Sequence, residues 1–159
     1  MAFTQSKMFR EWPSQVLQKS GTNFLGMGTD VLNVALYNNS GTPDKDAAVG
    51  STGYNTGAWA VANEVTDATN WVAGGRALSG KTFSTAVSGA CTFDATDLAG
   101  GGTLSLSNVY GCLIYDNAIT GGTVAKQGIS FHYFGGPQTV SAGTFTVVWN
   151  ASGIFTMAV

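Results

Sequence analysis

The feature that most constrains this chain is a period of two. Apolar and polar side chains alternate in short runs, and each run is closed by Gly, Asn or Ser. In DVLNVALY, residues 30–37, Leu32, Val34 and Leu36 point one way and Asn33, Ala35 and Tyr37 the other, as on a pleated strand. NNSGTPDKD, a loop dense in turn formers, follows it. Further strands are predicted at residues 76–87, 90–95, 103–107, 110–116, 128–134, 144–150 and 154–159. Ser88-Gly89 reads as a two-residue hairpin turn, GGPQ after Phe134 as a second turn, and Asn150–Gly153 as the link of a final hairpin. Phe145, Val147 and Trp149 share one face, as do Phe155, Met157 and Val159, so the last strand should be internal or tightly paired. Many short strands at regular spacing predict a mainly β chain, an antiparallel β-sandwich of Ig-like or jelly-roll-like type.

Only the start reads differently. Over residues 3–20, Phe9, Trp12 and Val16 recur at helical spacing, Thr4 can cap the front and Gly21 the back. Pro13 interrupts the pattern, which predicts a kink at Trp12 or two short helices with Pro13 opening the second. The expected organisation is a helical attachment segment, residues 1–20, lying outside a sandwich body, residues 21–159. Phe3, Phe9, Trp12 and Val16 form its apolar face, the candidate partner-docking residues. The alternative is that this face packs on its own sandwich.

Composition narrows the function. Charged residues make up 10% of 159, against roughly 25% in an average domain. The surface is therefore neutral and polar, which suits a chain docked in an assembly or an ordinary extracellular-type β domain. Seven Lys and Arg are scattered without a basic run, so nucleic-acid binding is not expected. No run of about 18 apolar residues could cross a membrane as a helix. Lys7, Arg10 and Glu11 stand where the apolar core of a secretion signal would be, which predicts synthesis in a cytosol. In that compartment Cys91 and Cys112, both in apolar strand-like runs, should be free thiols.

No catalytic constellation is legible. GxSxG, HExxH and Walker patterns are absent, and the glycines at 100–102 precede no phosphate-binding helix. The lone histidine, His132 in GISFHYF, has no orienting partner in the sequence. Asp44 and Asp46, and Asp94 and Asp97, read as solvated turn carboxylates rather than a Ca²⁺ or glycosidase pair. No metal, cofactor or enzymatic activity is expected. A glycan platform is the one small-molecule option: Trp59 and Trp71, in the irregular region 47–75, are the tryptophans expected to be exposed.

Several stretches are similar in order and wording to a known group. AFTQSKMFREW, VLNVALYNNSGTPDKD, YNTGAWAVANEVTDATNW followed by GGRALSGKTF, NVYGCLIYDN and GTFTVVWNASGIFTMAV resemble small virion structural proteins of tailed bacteriophages, especially those of actinobacteria. The resemblance spans nearly the whole chain and departs from the group at Pro13. It implies a non-enzymatic virion component and supplies no catalytic residues. Two placements follow from it: a decoration protein on the outside of the capsid, bound to the major capsid protein with a trimer as the favoured oligomer, or a minor tail, tail-tip or fibre protein with a host carbohydrate-binding role.

Overall fold

The computed structural model describes residues 3–18, 21–85 and 89–158. It is mainly β, with antiparallel sheets packed together and one short helix. The elements, in chain order, are β1 (Lys7–Met8), α1 (Glu11–Gln18), β2 (Leu32–Tyr37), β3 (Arg76–Ala77), β4 (Thr82–Ser84), β5 (Ala90–Asp94), β6 (Leu98–Ala99), β7 (Leu104–Asp116), β8 (Gly128–Gly143), β9 (Thr146–Val147) and β10 (Phe155–Ala158). Five strands form the main sheet in the order β1-β8-β7-β2-β3; β10-β5-β4 form a second sheet and β6-β9 a third.

The alternation read in residues 30–37 holds, but both faces of β2 are covered. Ala35 and Tyr37 share a face with Leu113 on β7 and Phe131 on β8, as the register of the three strands requires. Trp59 closes this face at the centre of an aromatic cluster, with ring centroids 5.2 Å from Tyr37, 5.6 Å from Phe131, 5.8 Å from Phe3 and 6.0 Å from Phe9. Leu32, Val34 and Leu36 bury the opposite face with Ile114 and Cys112. On that side His132 meets Trp149, with centroids 5.6 Å apart.

Several boundaries move. Residues 76–87 are not one strand: β3 pairs with β2 in the main sheet and β4 with β5 in the second, with Gly80 in the left-handed region between them. β4 and β5 pair antiparallel, as a hairpin requires; Ser88 of the Ser88-Gly89 turn predicted between them falls in residues 86–88, which lie outside the described residues. Residues 103–107 and 110–116 join into the single strand β7, which takes up its irregularity at Asn108, itself left-handed. GGPQ does not end β8. Pairing passes from Gly111↔Tyr133 to Val109↔Gln138, so Phe134–Pro137 bulges out of a continuing strand. The expected last hairpin is absent among the described residues. β9 pairs with β6 and β10 with β5, in different sheets, and β10 is paired but at a sheet edge rather than internal. Val159 lies outside the described residues.

The N-terminal segment does not stand outside the sandwich. Phe3 donates its N–H to Asn39 Oδ1 at 3.1 Å, β1 pairs with β8, and Phe9 donates to the Ile129 carbonyl at 3.0 Å. Within residues 3–10, β1 therefore adds an edge strand to the main sheet, and Phe3 and Phe9 are anchored beside it. The helix expected over 3–20 is confined to α1. A proline lacks the N–H that a helix interior needs, and Pro13 sits in the first turn, where that loss is tolerated.

Candidate interaction site

Extended at its start and helical after it, the first segment of the chain builds one wall of an apolar groove of about 760 Å³. Met8 leaves the end of β1 toward it. Trp12 and Val16, one helical turn apart, add the face of α1, with the Pro13 ring beside them. Phe24 and Met27 from the loop before β2 form the floor; Phe24 meets Trp12 edge-on at 5.8 Å. Phe83 on β4 and Met157 on β10 close the far side.

The far wall follows from strand register. Phe83, Phe93 and Phe155 lie opposite one another across β4, β5 and β10, and Met157 lies opposite Cys91, so all five share one face of the second sheet. The other face carries Thr82, Ser84, Thr92 and Thr156 and is polar. Phe93 is fully buried, whereas Phe83 keeps 46% of its surface exposed and Leu25, beside Phe24, keeps 72%. β10 is also an edge strand of its sheet among the described residues, and Thr156, Met157 and Ala158 on it line the groove. The result is an apolar concavity with an exposed aromatic rim and an available strand edge, suited to burying a partner's apolar side chains.

The four predicted docking residues divide here. Trp12 and Val16 line the groove; Phe3 and Phe9 do not, because both are buried against Trp59 and Phe131 in the main core. The glycan candidates are corrected outright. Trp59 is enclosed by Phe3, Phe9, Tyr37 and Phe131. Trp71, also buried, lies under the Arg76 guanidinium at 5.9 Å and against Phe145. Neither presents a ring face to a sugar. Phe24, Met27, Phe83 and Met157 are groove residues that sequence reasoning missed, since no local pattern brings these separate segments together.

Titratable groups lie elsewhere. His132 stands against Trp149, its Nε2 3.0 Å from Ser130 Oγ, and burial lowers its pKa to about 4, leaving it neutral at pH 7. Burial likewise raises the Cys112 thiol far above its ordinary value; Cys112 and the half-buried Cys91 are both free thiols. Glu64 accepts Tyr54 Oη–H at 2.7 Å and the Gly74 N–H at 2.9 Å, in a network that Tyr115 extends to the Gly74 carbonyl. Burial outweighs these donors and raises the Glu64 pKa.

The paired loop aspartates accept main-chain N–H groups, in local turns and, for Asp97, from a distant segment. Asp44 Oδ1 accepts the Asp46 N–H at 2.8 Å, Asp94 Oδ1 the Ala95 N–H at 2.9 Å, and Asp97 Oδ1 the Trp149 N–H at 2.8 Å. Among the described residues no three His, Cys, Asp or Glu side chains converge as a metal site, and no helix is long and apolar enough to cross a membrane. Compared with known proteins, the chain matches no family, no curated protein and no solved structure.

Proposed function

We propose that this chain is a non-enzymatic structural component of a tailed-phage virion, a decoration protein bound to the outside of the capsid. Its partner is the major capsid protein or another virion protein, and its own oligomer is a trimer. The observation that carries the reading is the apolar groove between α1 and the second sheet, with the partly exposed Phe83 in its lining. A neutral chain of this kind associates through apolar anchors rather than charge, and partly exposed aromatics beside a concavity are the residue type that dominates interface energy. The sequence resemblance supports the assembly, and the groove supports the choice of surface. The tail-fibre reading with a glycan role has no comparable support, because its aromatic platform is buried.

Two measurements test this. Counting copies per virion by cryo-electron microscopy separates placements: hundreds support the capsid, and a few support the tail. The double change Val16→Ser, Phe83→Ser should leave the fold intact and abolish incorporation into virions. Normal incorporation of that variant would place docking elsewhere on the molecule.

A further inference from the structure

The two sides of the apolar groove differ in kind. Met8, Trp12 and Val16, with Phe24 and Met27, offer it apolar side chains. The β10 side also offers main chain. Thr156 and Ala158 border the groove although their side chains belong to the opposite, polar face of the second sheet, where Thr156 Oγ1 lies 3.1 Å from Thr92 Oγ1 and Ala158 stands opposite Ala90. It is therefore their backbone that meets the cavity. In an antiparallel ladder, alternate residues turn their N–H and C=O groups to opposite edges of the strand. β10 pairs with β5 and, among the described residues, with no other strand, so its second edge brings main-chain donors and acceptors into an otherwise apolar space.

An occupant has to match both features. It must offer main-chain partners to β10 and apolar side chains to the groove. A helix has spent its main-chain groups on itself and supplies only the second. An extended strand supplies both, because every second side chain points to one face while the backbone groups stay free at its edges. Charge agrees: among the described residues no charged side chain lines the groove, so a charged side chain entering it would be desolvated without a partner. Size agrees as well. A standard interface between two folded surfaces takes about 20–30 residues a side. Eleven residues line this groove, the footprint of one inserted segment. Met8, Met27 and Met157 are all the methionines of the chain beyond residue 1, and all three are here. Methionine adapts to neighbours of different shape, which leaves the main chain to set the register.

Taking the groove as the docking surface, as above, we propose that what enters it is an extended, uncharged segment of the partner, added as a strand along β10 with its alternate apolar side chains lodged between α1 and Met157.

The probe is a capped heptapeptide of alternating threonine and valine, added to the full chain, with amide hydrogen exchange as the readout. At ten times its dissociation constant it should slow exchange of the Thr156 and Ala158 amides roughly tenfold. No protection of either amide at millimolar peptide overturns strand addition. An analogue N-methylated at every residue keeps the side chains without the donors and should not bind; binding equal to that of the parent peptide overturns the proposal. Thr156→Pro removes one donor from the open edge, a change that a strand tolerates only where the N–H faces outward. This variant should fold and bind the heptapeptide roughly tenfold more weakly. Loss of folding would put that N–H in the β5 ladder and overturn the proposal, as would unchanged affinity. Protection of the same amides that rises with protein concentration in the absence of peptide also overturns it, by making a second copy the occupant. The docking reading itself fails separately, if Val16→Ser, Phe83→Ser enters virions normally. Exclusion of that double variant together with normal entry of Thr156→Pro keeps the groove and overturns the strand.

Discussion

Tyr37 Oη donates to the main-chain oxygen of Trp59 at 2.7 Å while the two rings meet edge-on, 5.2 Å between centroids. One contact thus joins the last residue of β2 to the irregular region that covers the main sheet. Tyr37→Phe removes this donor; the Trp59 oxygen keeps the Asn55 N–H at 3.0 Å, so the expected cost is that of one hydrogen bond, about 0.5–1.5 kcal/mol. Trp59→Ala opens the aromatic cluster and should cost about 3–5 kcal/mol. Urea denaturation measures both; equal midpoints for Tyr37→Phe and wild type would remove the hydrogen bond from the account.

Deletion of residues 154–159 takes away the strand that pairs with β5. Ile154 is buried, Phe155 and Met157 are half-buried, and Phe93 loses the ring 5.2 Å from it. With each large side chain worth about 1.5–3 kcal/mol when fully buried, the expected loss is about 3–6 kcal/mol. Melting at the wild-type temperature would mean that β10 contributes nothing to the fold.

Gly75 should not tolerate alanine. Its φ is +70°, and an added Cβ would overlap the main-chain oxygen of Val34 on the neighbouring strand. The variant must either displace β3 from β2 or absorb strain, at about 3 kcal/mol or more. Gly101, in a glycine run, would meet only Arg76 and Asn70 side-chain atoms at 3.9 Å with an added Cβ, ordinary contact, and should accept alanine with a change within about 0.5 kcal/mol, read by calorimetry.

His132 and Asp116 predict opposing pH dependences. The histidine value falls from 6.5 to about 4 on folding, so its contribution is complete above 6.5 and is lost as pH falls toward 4, by up to about 3 kcal/mol. The aspartate value rises from 3.8 to about 6, so its contribution is complete below 3.8 and is lost as pH rises toward 6. In the wild type the two offset each other across this window. His132→Gln removes one of them, and stability measured by urea midpoints should then fall steadily from about pH 4 to pH 6. A variant curve parallel to that of the wild type would show that the imidazole stays accessible to protons.

Residues 30–37 state in their own order which side chains share a face, and the register with β7 keeps that assignment. That β4 and β5 pair agrees with the turn chemistry between them, since turn residues are a property of adjacent positions, although residues 86–88 lie outside the described residues. What a strand pairs with is not local. Residues 76–87 alternate throughout, yet Gly80 lets the chain leave one sheet and enter another. Residues 144–150 and 154–159 look like two arms of a hairpin and part into separate sheets. Exposure is decided at the same level: nothing near Trp59 or Trp71 in the sequence announces that Phe3, Phe9 and Phe145 will be folded against them. The groove shows this most plainly, because Trp12, Phe24, Phe83 and Met157 come from four segments. Alternation and turn chemistry are written residue by residue and determine that this chain is β. Partner strands, burial and the site arise where distant segments meet, and only packing in three dimensions selects those meetings.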